Sequence, residues 1–415
     1  MPIKTKLRIL VVSRMYPHPD MPCNGPFVHE QVKALRQKGM DVRVISGRAF
    51  PLFLKRPWGV KRRWRHFRHA WDHLDWTEYD GVPVVYVPYH VGWTARLLGL
   101  DDPYRDAVFH AGCWARGTFD FDLIHAHTAY PDGFAALFLA TTFSRPFVIT
   151  EHTGPFSILT RRRDLRYKTI SALCRAERIW CVSDSLTREV AAYLPADVRC
   201  RVQTLYNGVD TERFRPPVDW RPNPDAPRLA FVGLFEPVKN LPVLIDAFAR
   251  LRRRLPKATL SLVGEGPLYP SIQKQITRLR LDSAVRLLGR LDREQTARFL
   301  REECDVLVLP SRSETFGVVL IEALASGKPV VASRCGGPES IVTDPRLGTL
   351  CQPNDVRALY HCLLQTIARL PEFDRDAIRN YAVEKFDYDV LASSLIEQYQ
   401  VIARPTAFPA NLRAA

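Results

Sequence analysis

The sequence predicts an α/β protein of two doubly wound domains, each a mostly parallel sheet flanked by helices. Three observations predict it. Short apolar runs alternate with amphipathic stretches along the chain, the pattern of parallel strands joined by helical crossovers. A segment with five prolines in 17 residues, Thr211–Pro227, interrupts the alternation. The alternation then restarts and runs through a second segment of similar length.

Taken in order, Leu7–Ser13 reads as a first buried strand. Val28, Val32 and Leu35 give Val28–Lys38 helical spacing, with Gly39 as the stop. Asp41–Ser46 and Val82–Val87 read as strands. Asp122–His127 follows as a strand, Gly133–Phe143 as a helix and Pro146–Glu151 as a strand. Ile179–Ser183 and Val202–Tyr206 continue the series. Neither a helix nor a central strand tolerates the proline density of Thr211–Pro227, so it reads as a linker. Beyond it, strands are expected over Leu229–Gly233, Thr259–Gly264, Val285–Leu288, Val306–Leu309 and Pro329–Ser333. Helices are expected over Leu241–Arg254, Tyr269–Arg280, Asp292–Glu302 and Phe316–Ser326. The expected division is a first domain at 1–210, a linker at 211–227 and a second domain at 228–385. A C-terminal helix and tail, 386–415, is a candidate to pack back on the first domain. Ligands of such sheets bind beyond the carboxyl ends of the strands, and a cleft between two of them is the default site.

The composition excludes several classes. With 46% apolar and 25% charged residues in 415, the chain is neither disordered nor fibrous. No apolar run approaches the roughly 18 to 20 residues of a membrane span. Ile9-Leu10-Val11-Val12 is too short for a signal-peptide core and Arg14 follows at once, so the cytoplasm is the expected location. Nine cysteines are scattered without a Cys-x-x-Cys pair, which argues against zinc and disulfides and for buried reduced thiols. The net charge of +15 is uneven: residues 1–207 carry 30 basic and 19 acidic side chains, net +11. Lys55–Arg68 alone holds seven basic residues and no acid, interleaved with Trp58, Trp64 and Phe67. Such a patch attracts an anionic membrane face or nucleic acid, and its plain alternative is a solvated surface. A second basic cluster is Arg161-Arg162-Arg163 with Arg166 and Lys168.

The most informative segment is Leu309–Ser340, LPSRSETFGVVLIEALASGKPVVASRCGGPES. A buried strand ends at Pro310 and a helix opens near Phe316-Gly317, where free N–H groups favour an anion such as a diphosphate. Glu314 precedes the helix. Glu322 stands eight residues on, a little over two turns, so it shares a side with the helix start. Carboxylates suit hydroxyl-rich ligands because each accepts several hydrogen bonds. Amid Val318, Val319, Leu320, Ile321, Ala323 and Leu324, an idle Glu322 would be costly to bury. Gly336-Gly337-Pro338-Glu339 is a second loop where backbone can approach a ligand closely.

This segment resembles the donor-binding motif of retaining GT-B glycosyltransferases, specifically glycosyltransferase family 4. The family pattern is S-x-x-E-x-F-G-x-x-x-x-E-A-x-A-x-G-x-P-V-V-A. Glu314, Phe316, Gly317, Glu322, Ala323, Ala325, Gly327, Pro329, Val330 and Val331 match it. Phe231-Val232-Gly233 with Lys239-Asn240, and Leu262–Pro267 around Gly264 and Gly266, resemble two further family loops. Gly25–Leu35, His125-Ala126-His127, Thr150–Gly154 and Tyr206–Asp210 resemble members that build bacterial cell-surface polysaccharides.

The resemblance implies a GT-B fold, two doubly wound Rossmann-like domains facing a central cleft. It implies that Glu314 binds donor-sugar hydroxyls and that Glu322 binds the ribose. It sets Lys239 against the donor diphosphate, joined by N–H groups of Phe316, Gly317 and Val318, with Gly25 near the diphosphate. His127 helps position the sugar and stabilise the transition state, and His152 shapes the acceptor side. The chain departs from the pattern after Gly233, where the usual Arg is Leu234, so Lys239 carries more of the charge neutralisation. The implied reaction retains the anomeric configuration and needs no protein nucleophile, metal or cofactor. Its partners are a UDP- or GDP-sugar and a hydroxyl of a lipid-linked glycan in surface or exopolysaccharide synthesis. The Lys55–Arg68 region would meet an anionic membrane, making the enzyme peripheral on the inner face, with no nucleic acid. Two rival readings are a GT-B sugar-nucleotide epimerase, which lacks this donor motif, and a basic nucleic-acid-binding protein, for which no helix-turn-helix or RNP motif is present.

Overall fold

Ile9, Leu10, Val11 and Val12 are fully buried and form β1 (Arg8–Val12), the centre of an eight-stranded sheet. The computed structural model describes residues 6–50, 60–91 and 101–403. Around β1 lie β2 (Asp41–Phe50), β3 (Thr77–Tyr79), β4 (Val82–His90), β5 (Leu123–His127), β6 (Phe147–Glu151), β7 (Arg178–Cys181) and β8 (Val202–Thr204). Their order is β3-β4-β2-β1-β5-β6-β7-β8. All pairs are parallel except β3 with β4. Strands covered on both faces read as continuous apolar runs, which is why β1 was legible. The helices are α1 (Pro26–Gln37), α2 (Val60–Asp72), α3 (Pro103–Thr118), α4 (Phe134–Phe143), α5 (Arg163–Arg175) and α6 (Asp184–Ala192).

A second sheet has six parallel strands: β9 (Arg228–Val232), β10 (Thr259–Val263), β11 (Val285–Gly289), β12 (Val306–Leu309), β13 (Val330–Ser333) and β14 (Gly348–Cys351). Their order is β11-β10-β9-β12-β13-β14. Its helices are α7 (Leu241–Arg254), α8 (Tyr269–Arg278), α9 (Arg293–Glu303), α10 (Val318–Ala325), α11 (Gly337–Ile341), α12 (Val356–Ala368) and α13 (Arg375–Phe386), and α14 (Tyr388–Ile402) ends the described chain.

Among the described residues, one unit comprises the chain up to Cys181 with Glu189–Leu205 and the segment from Leu391 onward. The other comprises Val182–Arg188 and Tyr206–Val390. The proline-rich stretch contains neither helix nor strand and belongs to the second unit, where Trp220 Nε1 donates to Asp305 Oδ1 (3.1 Å) and Arg375 to Pro217 O (2.8 Å). Within the first unit, α14 anchors through Tyr399, which is fully buried and hydrogen-bonds His125.

Two expectations need correction. The thiols are not uniformly buried: Cys181, Cys304 and Cys351 are, but Cys23, Cys113 and Cys200 are exposed. The aromatic residues of the basic run do not all stand out beside its cations, although Trp64 is 38% exposed. Phe67 is buried, and Phe67 and Trp64 stack on His90 of β4 with centroids at 3.9 and 5.5 Å. Trp64, Phe67 and Trp71 recur at helical spacing along one side of α2, and Arg62, Arg65 and Arg68 are exposed. Lys55, Arg56 and Trp58 of that run lie outside the described residues.

Candidate functional site

In the six-stranded sheet the direction of the crossovers reverses between β9 and β12, the position where doubly wound sheets bind ligands. The loops that leave these strands meet. Arg312 N–H donates to Val238 O at 2.8 Å. Lys239 Nζ donates to Glu314 Oε2 at 2.7 Å, and Ser311 Oγ donates to the same oxygen at 3.0 Å. Glu314 Oε1 has no hydrogen bond among the described residues, so one carboxylate oxygen is anchored and the other is open. An ammonium has three donors, so two remain on Lys239 beyond its bond to Glu314.

Behind them α10 opens at Gly317, which has φ 101° and leaves the helix without a side-chain cap. Among the described residues the N–H groups of Phe316, Gly317 and Val318 donate to no other residue. Elsewhere in this unit α9, α12 and α13 are capped by Asp292, Asp355 and Asp374. α10 starts without such a cap, as do α7 and α8, and free N–H groups at a helix start suit an outside anion. The Phe316 ring is core: it is 2% exposed and stacks on Tyr206 at 5.9 Å.

Glu322 lies on α10 and is buried. Burial pushes its carboxyl above the usual carboxylate range, opposed by Arg293 and then Arg213. Arg293 Nη1 stands 3.7 Å from Glu322 Oε1, an ion-pair distance rather than a hydrogen bond. The diglycine loop approaches protein: Gly337 N–H donates to Glu314 O at 2.7 Å, fixing the backbone beneath the carboxylate. Glu339 is used locally, accepting from Cys335 and Gly336 N–H. Gly264 and Gly266 line the loop after β10 and press on the Gly233–Phe235 turn. A Cβ on Gly264 would lie 1.9 Å from Gly233 O, so only glycine permits this approach. Leu234 is 58% exposed.

In the eight-stranded sheet the corresponding reversal lies between β1 and β5. Gly25 starts α1 with φ 65°, and a Cβ there would meet Met15 O at 2.3 Å. The loops after β1 and β5 are tied by Asp132, which accepts from Arg14 N–H (2.8 Å), Thr128 Oγ1 (2.9 Å) and the Tyr104 hydroxyl. Burial raises the Asp132 carboxyl to about 7 against those bonds.

His125 and His127 share one side of β5, as the two-residue spacing requires. Their environments differ. His125 bonds Tyr399 (2.6 Å) and Thr150 (2.7 Å) through its two nitrogens. His127 Nδ1 meets His152 Nε2 at 3.1 Å, while its own Nε2 is buried with no partner among the described residues. Burial lowers all three histidines, His125 and His152 to about 3 and His127 well below its ordinary value. Glu151, fully buried, accepts from Ala129 (2.7 Å), His152 (2.9 Å) and Thr153 (2.7 Å) N–H, joining the loops after β5 and β6.

The structure therefore gathers Lys239, Glu314, Phe316, Gly317, Val318 and Glu322 in one unit, with Gly264 and Gly266 bracing the adjoining loop. It gathers His127 and His152 in the other, where Gly25 opens α1. Sequence reasoning missed Ser311, Arg293, Asp132, the role of Glu151 and Tyr399. Ser311 stood three residues before Glu314, within reach as a local signal. Arg293 is 29 residues from Glu322 and carried none.

Comparison with known proteins agrees with this layout. Residues 25–213 match the model of Glycosyltransferase Family 4, and residues 213–382 match that of Glycosyl transferases group 1. An uncharacterized glycosyltransferase of Methanocaldococcus jannaschii is 34% identical over 298 residues, covering 72% of this chain and 78% of that protein. A phosphatidyl-myo-inositol mannosyltransferase of Mycobacterium tuberculosis is 30% identical, covering 68% and 75%. Among solved structures, Anabaena HepE in complex with UDP and glucose superposes with a TM-score of 0.68 at 19% identity, covering 95% of this chain and 100% of that one. Sucrose-phosphate synthase from Thermosynechococcus elongatus gives 0.71 at 21% identity, covering 95% and 98%. The chain belongs to the GT-B glycosyltransferases, joining a Glycosyltransferase Family 4 segment to a group 1 segment.

Proposed function

We propose that this glycosyltransferase moves a sugar from a UDP- or GDP-sugar, with retention and without a metal or cofactor, to a hydroxyl of a lipid-linked glycan in surface or exopolysaccharide synthesis. The observation that carries the reading is the divided Glu314 carboxylate: Oε2 held by Lys239 and Ser311, Oε1 open. In this reading Oε1 accepts from donor-sugar hydroxyls. The remaining Lys239 donors and the free N–H groups at the start of α10 take the diphosphate, where charge grows as the sugar–phosphate bond breaks. Glu322 binds the ribose hydroxyls, and His127 contacts the sugar. HepE is described with UDP and glucose, and the mannosyltransferase by its phosphatidyl-inositol substrate. Both fit a nucleotide-sugar donor and a lipid-linked acceptor. The epimerase and nucleic-acid readings are not favoured beside relatives that are glycosyltransferases.

A thermal-shift panel of UDP- and GDP-sugars tests donor binding. A donor at about 100 times its Kd stabilises the folded chain by about 2.7 kcal/mol, which is about 5 to 10 °C for units of this size. A panel in which no nucleotide sugar moves the transition would contradict the reading.

The membrane contact rests on the cations of α2 and on a second surface. Ile158 and Tyr167 are 48% and 70% exposed beside Arg161, Arg162, Arg163 and Arg166. Each surface cation contributes about 1 kcal/mol near an anionic leaflet. Reversing Arg62, Arg63 and Arg65 to Glu is expected to weaken binding to phosphatidylserine vesicles on the order of 100-fold, at about 1 kcal/mol for each cation lost. Flotation that is unchanged would remove α2 from the contact.

A further inference from the structure

The His127–His152 contact has a logic of its own. His152 Nε2 is the single hydrogen-bonding partner of the His127 ring among the described residues. His125, stacked on His127 with centroids at 4.3 Å, has both nitrogens engaged by Tyr399 and Thr150 and cannot substitute. His152 is held in turn. Its backbone N–H donates to the buried Glu151 carboxylate, and its ring lies against Phe27 of α1 with centroids at 4.8 Å. At the far ends, His127 Nε2 and His152 Nδ1 are both buried without a partner among the described residues.

Counting protons then constrains the pair. Two neutral imidazoles carry one N–H each, and the bond between them uses one. The other N–H must stand at one far end, leaving a bare lone pair at the other. Either His127 presents Nε2–H and His152 donates inward, or His127 donates to His152 and presents a bare nitrogen. A donor phosphate oxygen, which gains negative charge as the sugar–phosphate bond breaks, accepts hydrogen bonds and cannot donate. Only the first arrangement serves such an atom.

We propose that His152 is a positioning residue for sugar transfer: by donating Nε2–H to His127 Nδ1 it fixes the ring and the tautomer in which His127 offers Nε2–H to a donor oxygen. This rests on the reading of the chain as a nucleotide-sugar transferase with His127 at the donor, and it moves His152 from acceptor binding to support of His127.

The test combines nitrogen NMR of the full chain, labelled with ¹⁵N-histidine, with kinetics of His152→Leu and His152→Gln. The wild-type spectrum is expected to show His127 and His152 each protonated at Nε2, the two assigned against the His152→Leu spectrum. His152→Leu is expected to lower kcat about 10- to 100-fold with donor KM held within about threefold, the signature of a misplaced group rather than lost binding. His152→Gln, whose side-chain amide can donate from a similar place, is expected to recover most of that loss. Three results would overturn the proposal: His127 protonated at Nδ1, a Gln variant as slow as the Leu variant, or a loss confined to acceptor KM. If His152→Leu does not fold, the Gln variant and the wild-type spectrum decide. If wild-type protein released no nucleotide from any donor, the transferase reading would fall while the spectrum would still settle the pair.

Discussion

Glu314→Ala is expected to lower kcat about 10²- to 10³-fold, the loss seen when one preorganised transition-state contact is removed. The expectation follows from the two oxygens of this carboxylate. Oε2 is occupied by Lys239 and Ser311, which hold the side chain in one orientation. Oε1 is left to meet a ligand. The alanine variant removes both the ligand contact and the anchor of Lys239. Glu314→Gln separates these effects, because it keeps an acceptor oxygen but removes the charge. It is expected to fall between wild type and Glu314→Ala. The backbone there is tied independently, through Gly337 N–H to Glu314 O and Glu314 N–H to Cys335 O. Both variants should therefore fold, and steady-state release of nucleoside diphosphate reads the effect. An alanine variant within about threefold of wild type would show that Glu314 contacts no reacting sugar.

Lys239→Met is expected to cost about 10²-fold in kcat, with a smaller rise in donor KM. Methionine keeps the length of the stem and loses the charge. Leu234 raises the stakes, since an exposed apolar side chain stands where the family usually carries an arginine. Lys239 is left as the cation hydrogen-bonded to Glu314. Because Lys239 and Glu314 act together, the double variant should lose less than the product of the two single losses. Strictly multiplicative losses would show that the pair does not act as a unit. Leu234 also supplies a converse variant: Leu234→Arg has open space to extend into and should lessen the effect of Lys239→Met.

What could be read in advance depended on how local each feature is. Glu314, Phe316, Gly317 and Glu322 fall within nine residues, so one strand–loop–helix unit places them and the motif alone is legible. Strands such as β1 and β12 were legible for a related reason, since parallel strands covered on both faces form apolar runs. α3 was not read, although Asp102 caps it and Pro103 occupies its first turn, a start signal open to inspection. α2 was read only as charge. Its aromatic residues at positions 64, 67 and 71 stack on His90 of β4 and His110 of α3. Arg293, Asp132 and Tyr399 could not be read at all. Tyr399 reaches His125 across 274 residues and Asp132 reaches Arg14 across 118. Those distances are closed by sheet order, which no local pattern carries. The histidines show the same divide: spacing put His125 and His127 on one side of β5, but only the neighbouring strand shows that Thr150 satisfies one and His152 meets the other.

The proposed reaction is retaining transfer from a nucleotide sugar. Its most direct test is proton NMR of the reaction catalysed by the full chain with the donor that the panel selects, followed in excess EDTA before the anomers equilibrate. Nucleoside diphosphate is expected to be released, with a sugar product whose anomeric proton keeps the configuration of the donor. A product of opposite anomeric configuration, or a reaction abolished by EDTA and restored by a divalent cation, would contradict it.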